Sequence, residues 1–426
     1  MAEIFQSKYT AQQIESLLDT VADNNGITTD DDTELYGFRI CGPEDSPYSR
    51  VEYIGANRNY EPAGMDFAND KFNYGSWENA FFIKNLKPVM LYSDGSIAYE
   101  LDKNDYSLKV DGTASDIDNI NFDGNAMIGF PTIWFKSYQT GIYKYVFVSN
   151  KQLDEDYHAY SHTDNNGQII DYCFVRIFEG SLINDKLRSI SGQSLMVLKT
   201  AANEITYATA NNTTSDVIWY TGLANDMQMI NRLLILISKS TNSQATFGYG
   251  HYTGGSTASS LLKTGTMNDK GLFWGTNTTG KGVKVFGIEN WWGNAWERIA
   301  GYIMNACKIY AKLTYGKEDG STTEGYNLDG TGYNLITNYT LPFVLGVYIK
   351  ENYCDEFGFW PYLTGGAQET YETDGLWTTS GIAYCFFGGD CYSDLAVGAL
   401  CVYLHVDASV SIWSVSASLS CKPLKQ

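Results

Sequence analysis

The chain is predicted to fold as α+β, loop-rich and mainly β with a few helices, and three observations predict it. Short apolar runs of strand length recur from Leu35 onward, 41 glycines supply turns between them, and only two later stretches carry helical spacing. Neither an internal repeat nor a low-complexity tract interrupts the pattern, so one long domain is expected after a short N-terminal helix.

That first helix is read at residues 9–22. Thr10 can cap it, Gln13 can reach back to complete a capping box, and Ile14, Leu17, Leu18 and Val21 share one face. Three turns are marginal in isolation, so the stripe must pack on something. It can pack on its own domain, on copies of itself as a homotrimer, or on a larger particle. The polar run that starts at Asp23 and ends at Asp32 reads as a linker. The expected division is helix and linker at 1–28 and a single domain at 29–426, with a β-rich subregion at 29–125.

Inside the domain, strands are expected at 145–149, 172–178 and 343–349. Asp111-Gly112 and Asn166-Gly167 suit tight turns where positive φ is needed. Helices are expected at about 224–238, where Met227, Ile230, Leu233 and Leu234 form a stripe, and at 289–304.

Composition narrows the function. A net charge of −20 argues against nucleic acid as a partner, because phosphate binding needs clustered Lys and Arg. No segment has the unbroken apolar length of a membrane span, so membrane insertion is not expected. The first residues lack a basic region followed by an apolar core, and no secretory signal is expected. Aromatic residues make up 15%, which suits cores and recognition surfaces alike. Eight scattered cysteines and four histidines show no metal-ligand spacing; the cysteines are read as small buried residues made in a reducing cytoplasm, with bridges between C-terminal pairs left open.

The most distinctive segment is 286–297, with Trp291, Trp292, Gly293, Asn294, Trp296 and Glu297. Its aromatic density is too high for a free surface, so the tryptophans are expected to anchor a core with their indole N–H groups bonded. Gly293-Asn294 permits a sharp bend. The run resembles the Gly-Asn-x-Trp-Glu signature of the formylglycine-generating-enzyme branch of the C-type lectin fold. That branch includes the variable proteins of diversity-generating retroelements and many phage tail proteins. Blocks at 127–136, 188–192 and 248–252 and the opening 7–18 are similar to tail-associated members. The resemblance implies a C-type lectin fold, with this segment as its structural centre.

The stretch at about 377–421 looks like a variable repeat. Gly388, Gly389, Gly398, Ala399, Leu400, Leu404, Ser409, Ser411, Trp413 and the ending 416–423 match the framework of such repeats. Between them lie Asp390, Tyr392, Ser393, Asp394, Ala396, Tyr403, His405, Val406, Asp407, Val410, Ile412, Ser414 and Val415, where related repeats often carry Asn. Adenine-specific randomisation changes an Asn codon at its first two bases, and the products exclude Trp, Met, Lys, Gln and Glu. Every one of those positions obeys the exclusion, and Asn is absent after Asn352. Ile382, Ala383 and Tyr384 are expected to be varied or to border the patch. The tyrosines and His405 would contribute the most contact area, Val406, Val410, Ile412 and Val415 an exposed apolar cluster, and Trp413 support from below.

The function implied by the resemblance is a diversified receptor-binding protein, not an enzyme, needing no cofactor. It would sit on a virion as part of a phage tail, made in the bacterial cytoplasm, with phage tail proteins as neighbours and a protein or glycan on a bacterial surface as ligand. A non-diversified structural tail or fibre protein of the same fold is the alternative. An oxidase holding copper between Cys385 and Cys391 is the third reading, and no acid–base constellation accompanies that pair. Asp390, Asp394 and Asp407 are poor catalytic carboxylates if they vary by design, and the acidic loops at 318–320 and 329–330 lack calcium-cage spacing.

Overall fold

Alternation along the chain places its strands. In Tyr143–Ser149 the side chains of Lys144, Val146 and Val148 are buried while Tyr143, Tyr145 and Phe147 are only partly covered, the period of two of a half-buried strand. The computed structural model describes residues 32–42, 44–164, 166–278, 280–312 and 326–423. The helix expected at 9–22, its linker up to residue 31, and the acidic loop at 318–320 lie outside the described residues.

The protein is mainly β with a few helices. A four-stranded antiparallel sheet runs Val51–Ile54, Leu35–Cys41, Tyr143–Ser149, Trp134–Thr140. A six-stranded sheet runs Val217–Thr221, Leu419–Pro423, Tyr172–Arg176, Gly124–Pro131, Lys87–Tyr92, Ile97–Glu100. Strands from both sides of residue 125 therefore share each of these two sheets. The C-terminal strand lies between two strands that precede it by some 200 residues or more, pairing Cys421 with both Phe174 and Trp219.

The third sheet carries the C-terminal half. Its path is Asn334–Leu335, Lys308–Ala311, Trp296–Asn305, Ala383–Phe387, Val402–Leu404, Gly375–Thr378, Leu345–Cys354, Phe359–Thr364. Val415–Ser416 pairs in parallel with Trp296–Asn305 off this path. Buried charges tie this sheet to the four-stranded one: Arg50 bonds Glu351 at 2.9 Å, and Lys144 meets the other oxygen of the same carboxylate.

The helix Ala224–Ser238 is buried along its whole length. A helix enclosed on all sides needs partners inside the protein for the polar side chains it carries. Gln228 brackets the backbone of Phe359, donating to its carbonyl at 2.8 Å and accepting its N–H at 2.9 Å. Asp226 accepts from the Ser420 hydroxyl at 2.8 Å. The helix stops at Lys239, which turns left-handed (φ 53) and donates its N–H to Ile235 at 2.9 Å.

The helix expected at 289–304 is not one. Ile288–Glu289 is a short strand, Asn290, Gly293 and Asn294 take positive φ (50, 76 and 65), and Trp296–Asn305 is a ten-residue strand. Left-handed residues cannot continue an α-helix, and the strand shows no alternation because both its faces are covered, every residue but Asn305 being buried, Glu297 and Arg298 included. A helix the sequence reading missed spans Ala201–Thr209, capped by Thr200, whose hydroxyl accepts the Asn203 N–H at 3.3 Å. Gly112 and Gly167 take positive φ (81 and 75) in their turns. The eight cysteines are free thiols, six of them buried. No helix among the described residues is long and apolar enough to cross a membrane.

Candidate ligand-binding surface

The supporting centre is the segment 290–297. Trp291, Trp292 and Trp296 are buried; the Trp291 indole donates to Asn231 Oδ1 at 2.9 Å and that of Trp292 to the Gly248 carbonyl at 3.1 Å. Gly293 has no room for a side chain, since a Cβ there would stand 2.9 Å from the His251 backbone nitrogen. Asn294 Nδ2 donates to Glu179 Oε2 at 2.6 Å, and Asn294 Oδ1 accepts the Leu262 N–H at 2.7 Å. Glu297 pairs with Arg176, which also donates to the carbonyls of Glu289 and Asn290. Burial pushes the Glu179 carboxyl up to about 8, with Arg176 opposing and Glu297 adding to the rise. Burial likewise raises Glu297 against the pull of Arg176.

The backbone of this centre holds the C-terminal stretch at three points. Gly293 N–H donates to the Gly388 carbonyl at 3.1 Å, Cys391 N–H to Asn294 at 3.0 Å, and Trp296 N–H to Ser414 at 2.8 Å. Main-chain bonds of this kind are indifferent to the side chains between the attachment points.

Those side chains divide by burial. Ile382, Tyr392, Asp394, Asp407 and Ile412 are exposed, Tyr392 most of all at 68%. Ser393, Ala396, Tyr403, His405, Val406 and Val410 are partly covered. Five expected contact positions are instead buried: Ala383, Tyr384, Asp390, Ser414 and Val415. Ala383 and Tyr384 lie on a strand whose five residues are all buried, and Tyr384 packs in a cluster with Tyr220, Tyr326 and Tyr333. Val415 packs with Trp296, Phe386 and Cys401, and Val406 and Val410 lean on that cluster. Of the expected apolar cluster of four, only Ile412 is exposed. Asp390 turns inward to shape the loop, accepting the Tyr392 N–H at 3.0 Å and the Ser393 hydroxyl at 2.6 Å. Trp413, expected as a support from below, is itself partly exposed.

Tyr403 is the hub of what remains. Its ring stacks on Phe386 at 5.7 Å and lies 5.5 Å from Trp296, 5.6 Å from Trp377 and 5.8 Å from His405. Phe343 continues the line, 5.8 Å beyond His405, whose Nδ1 is 2.7 Å from the Thr378 carbonyl. The Trp377 ring rests on two glycines: a Cβ on Gly375 would lie 2.8 Å from that ring and 3.0 Å from Ala396, and one on Gly346 3.1 Å from the indole nitrogen.

Sequence reasoning set Trp377 at the edge of the variable stretch and Phe343 and Leu345 in a strand, and named none of these, nor Leu198, as a contact residue. Phe343 and Leu345 are 57% and 61% exposed, and Leu198, at 56%, donates its N–H to the Ile412 carbonyl at 3.2 Å. Large apolar side chains grouped in the open mark an interaction surface. No local signal could have found them, since their chain neighbours are ordinary strand and loop residues.

Burial raises the Cys385 thiol well above its ordinary range and the Cys391 thiol to about 12. The Ser409 hydroxyl and N–H, at 2.5 and 2.8 Å, hold the Asp407 carboxyl below its usual range. Among the described residues no group of three His, Cys, Asp or Glu side chains is arranged to hold a metal ion. Compared with known protein families and with characterised proteins, the chain matches none.

Proposed function

We propose that this chain is a diversified ligand-binding protein with a C-type lectin fold, displayed on a phage tail and recognising a protein or glycan on a bacterial surface. What supports the reading most is the separation of backbone from side chains in the C-terminal stretch. Gly388, Cys391 and Ser414 are held by main-chain bonds to the 293–296 segment, while Tyr392, Asp394, Asp407 and Ile412 reach solvent between them. Such a stretch accepts replacement at the accessible positions without losing its support. The codon exclusion obeyed by the replaced positions supports the same reading.

On this proposal the residues that touch the ligand are Tyr392, Asp394, His405, Asp407 and Ile412, with Tyr403 and Trp377 behind them and Phe343, Leu345 and Ile382 at the margin. Aromatic anchors of this kind dominate contact energy. The DNA flanking the coding sequence tests it: a reverse transcriptase and a near-identical template copy with Asn codons at the replaced positions are expected. A flank with neither would reduce the protein to a tail or fibre component of fixed sequence.

A further inference from the structure

Asn294 pins more than the C-terminal stretch. Its backbone N–H donates to the His251 carbonyl at 2.8 Å and its Oδ1 accepts the Leu262 N–H at 2.7 Å, so both ends of the segment 251–262 are fastened to one residue. A surface loop whose ends are drawn together in this way is an Ω-loop, packed by its own side chains. The His251 ring fills it: Nε2 lies 2.8 Å from the Ser260 carbonyl, and a Cβ on Gly254 would stand 2.5 Å from the imidazole. Only a glycine lets the backbone pass that close.

The same loop lies against the first turn of the C-terminal stretch. Gly254 N–H donates to the Cys391 carbonyl at 2.8 Å, and the Cys391 thiol is 3.7 Å from the Gly255 carbonyl. Thr253, Ser256, Thr257, Ala258 and Ser259 are exposed next to the turn that carries Tyr392 and Asp394. Between 249 and 262 the chain has no Asp, Glu, Lys or Arg. Tyr252 stands edge-on to Tyr249 at 5.8 Å. Burial raises the Tyr252 phenol, and Tyr249 and then Asp394 add to the rise, so the ring and that carboxylate are neighbours.

We infer that the loop 251–262 is a second recognition loop, which acts with Tyr392 and Asp394 on one protein ligand; this rests on the ligand-binding reading of the C-terminal stretch. Uncharged Tyr, Ser and Gly are what antibody loops use on protein surfaces, the tyrosines giving area at low entropy cost and the small residues adaptable hydrogen bonds. The loop is ordered by its own packing, so little freedom is lost when a ligand lands. A glycan would call for carboxylate or amide groups facing its paired hydroxyls. Asp390 and Asp407 are spent on the hydroxyls of Ser393 and Ser409, and no Asn follows Asn352.

The test uses the full chain, fluorescently labelled, on intact cells of bacteria related to the one whose DNA encodes it. Ser256→Arg and Thr257→Arg each set a long charged side chain on an exposed position of the loop. Each is expected to weaken cell binding at least about tenfold and to leave the unfolding midpoint unchanged. Thr257→Ser should bind like the unsubstituted chain, as should Thr140→Arg, exposed at the end of a strand of the four-stranded sheet. Proteinase K treatment of the cells should abolish binding, and periodate, which cleaves sugar diols, should spare it. Binding that both loop variants retain overturns the role of the loop, and binding lost to periodate but spared by the protease overturns the protein class. An unsubstituted chain that labels no cells overturns the ligand-binding reading itself, so the two failures are told apart.

Discussion

Asn294 accepts the backbone N–H of Cys391 at 3.0 Å while its own side chain donates to Glu179 at 2.6 Å. One residue thus joins the buried polar centre to the first loop of the C-terminal stretch. Replacing it with Ala removes a donor from Glu179 and the acceptor of Leu262. The expected cost is about 2–4 kcal/mol, read from urea unfolding, because buried groups lose partners without regaining water. Asn294→Asp should cost at least as much, since it sets a second carboxylate against Glu179. A loss below about 0.5 kcal/mol in both variants would show that the centre does not support the fold.

Glu179 sets a pH dependence whose sign follows from its raised carboxyl. In the folded protein the group titrates near 8, against 4.5 for an ordinary glutamate. Between those values the folded state keeps a proton that the unfolded chain has released, so stability falls as pH rises from about 4.5 to 8 and levels off above. Glu204, raised to about 7 by burial against the pull of Arg298, acts in the same direction. Glu179→Gln keeps an oxygen for Asn290 and Asn294 and removes the charge. Its urea midpoint should exceed that of the unsubstituted protein at pH 8.5 and approach it at pH 5; equal differences at both pH values would refute the assignment.

His162 works in the opposite sense. Burial lowers it to about 4, and its Nε2 lies 3.1 Å from the Phe130 carbonyl. Its contribution is full above an ordinary histidine value of 6.5 and is lost as pH falls from there to about 4. The acid limb of the stability curve is expected to flatten in His162→Gln. An unchanged limb between pH 6.5 and 4 counts against a buried neutral imidazole.

Exposed and buried positions of the C-terminal stretch should differ in tolerance. Tyr392→Ser, at an exposed position, is expected to change stability by no more than about 0.5 kcal/mol. Tyr384→Ser, at 1% exposure between Arg298 and the tyrosine cluster, should cost about 3–5 kcal/mol. Similar losses in the two variants would mean that burial does not separate the positions.

Gly375 tests the seat of Trp377. A methyl group there meets the indole ring at 2.8 Å and Ala396 at 3.0 Å, so Gly375→Ala must push the ring outward. A cost of about 1–3 kcal/mol and a red-shifted tryptophan emission are expected. Weaker ligand binding should accompany them, because Tyr403 loses the ring it packs against.

Much of this organisation was written locally. Short apolar runs placed strands at 145–149 and 172–178, where Tyr143–Ser149 and Tyr172–Arg176 are found, and a 3.6-residue stripe placed a helix at about 224–238, found as Ala224–Ser238. The aromatic density of 286–297 marked a core, where Trp291, Trp292 and Trp296 are found. The 289–304 region misled, because a strand covered on both faces loses the alternation that would distinguish it from a buried helix. The three left-handed residues ahead of it, which settle the matter, show in sequence only as Asn and Gly.

The sequence by itself determined the residue pattern of the C-terminal stretch, its spaced glycines and its lack of Asn after Asn352, because these are properties of the chain alone. Only the tertiary structure decided which of its residues meet solvent. Ala383, Tyr384 and Val415 follow the same residue pattern as Tyr392 and Ile412, yet pairing with Trp296–Asn305 removes them from the surface. Phe343, Leu345 and Trp377 join the surface for the converse reason. Strand pairing of Leu345 with Trp377, and of Trp377 with Tyr403, brings together residues far apart along the chain. Exposure depends on what the rest of the chain lays against a residue, and no local period records that.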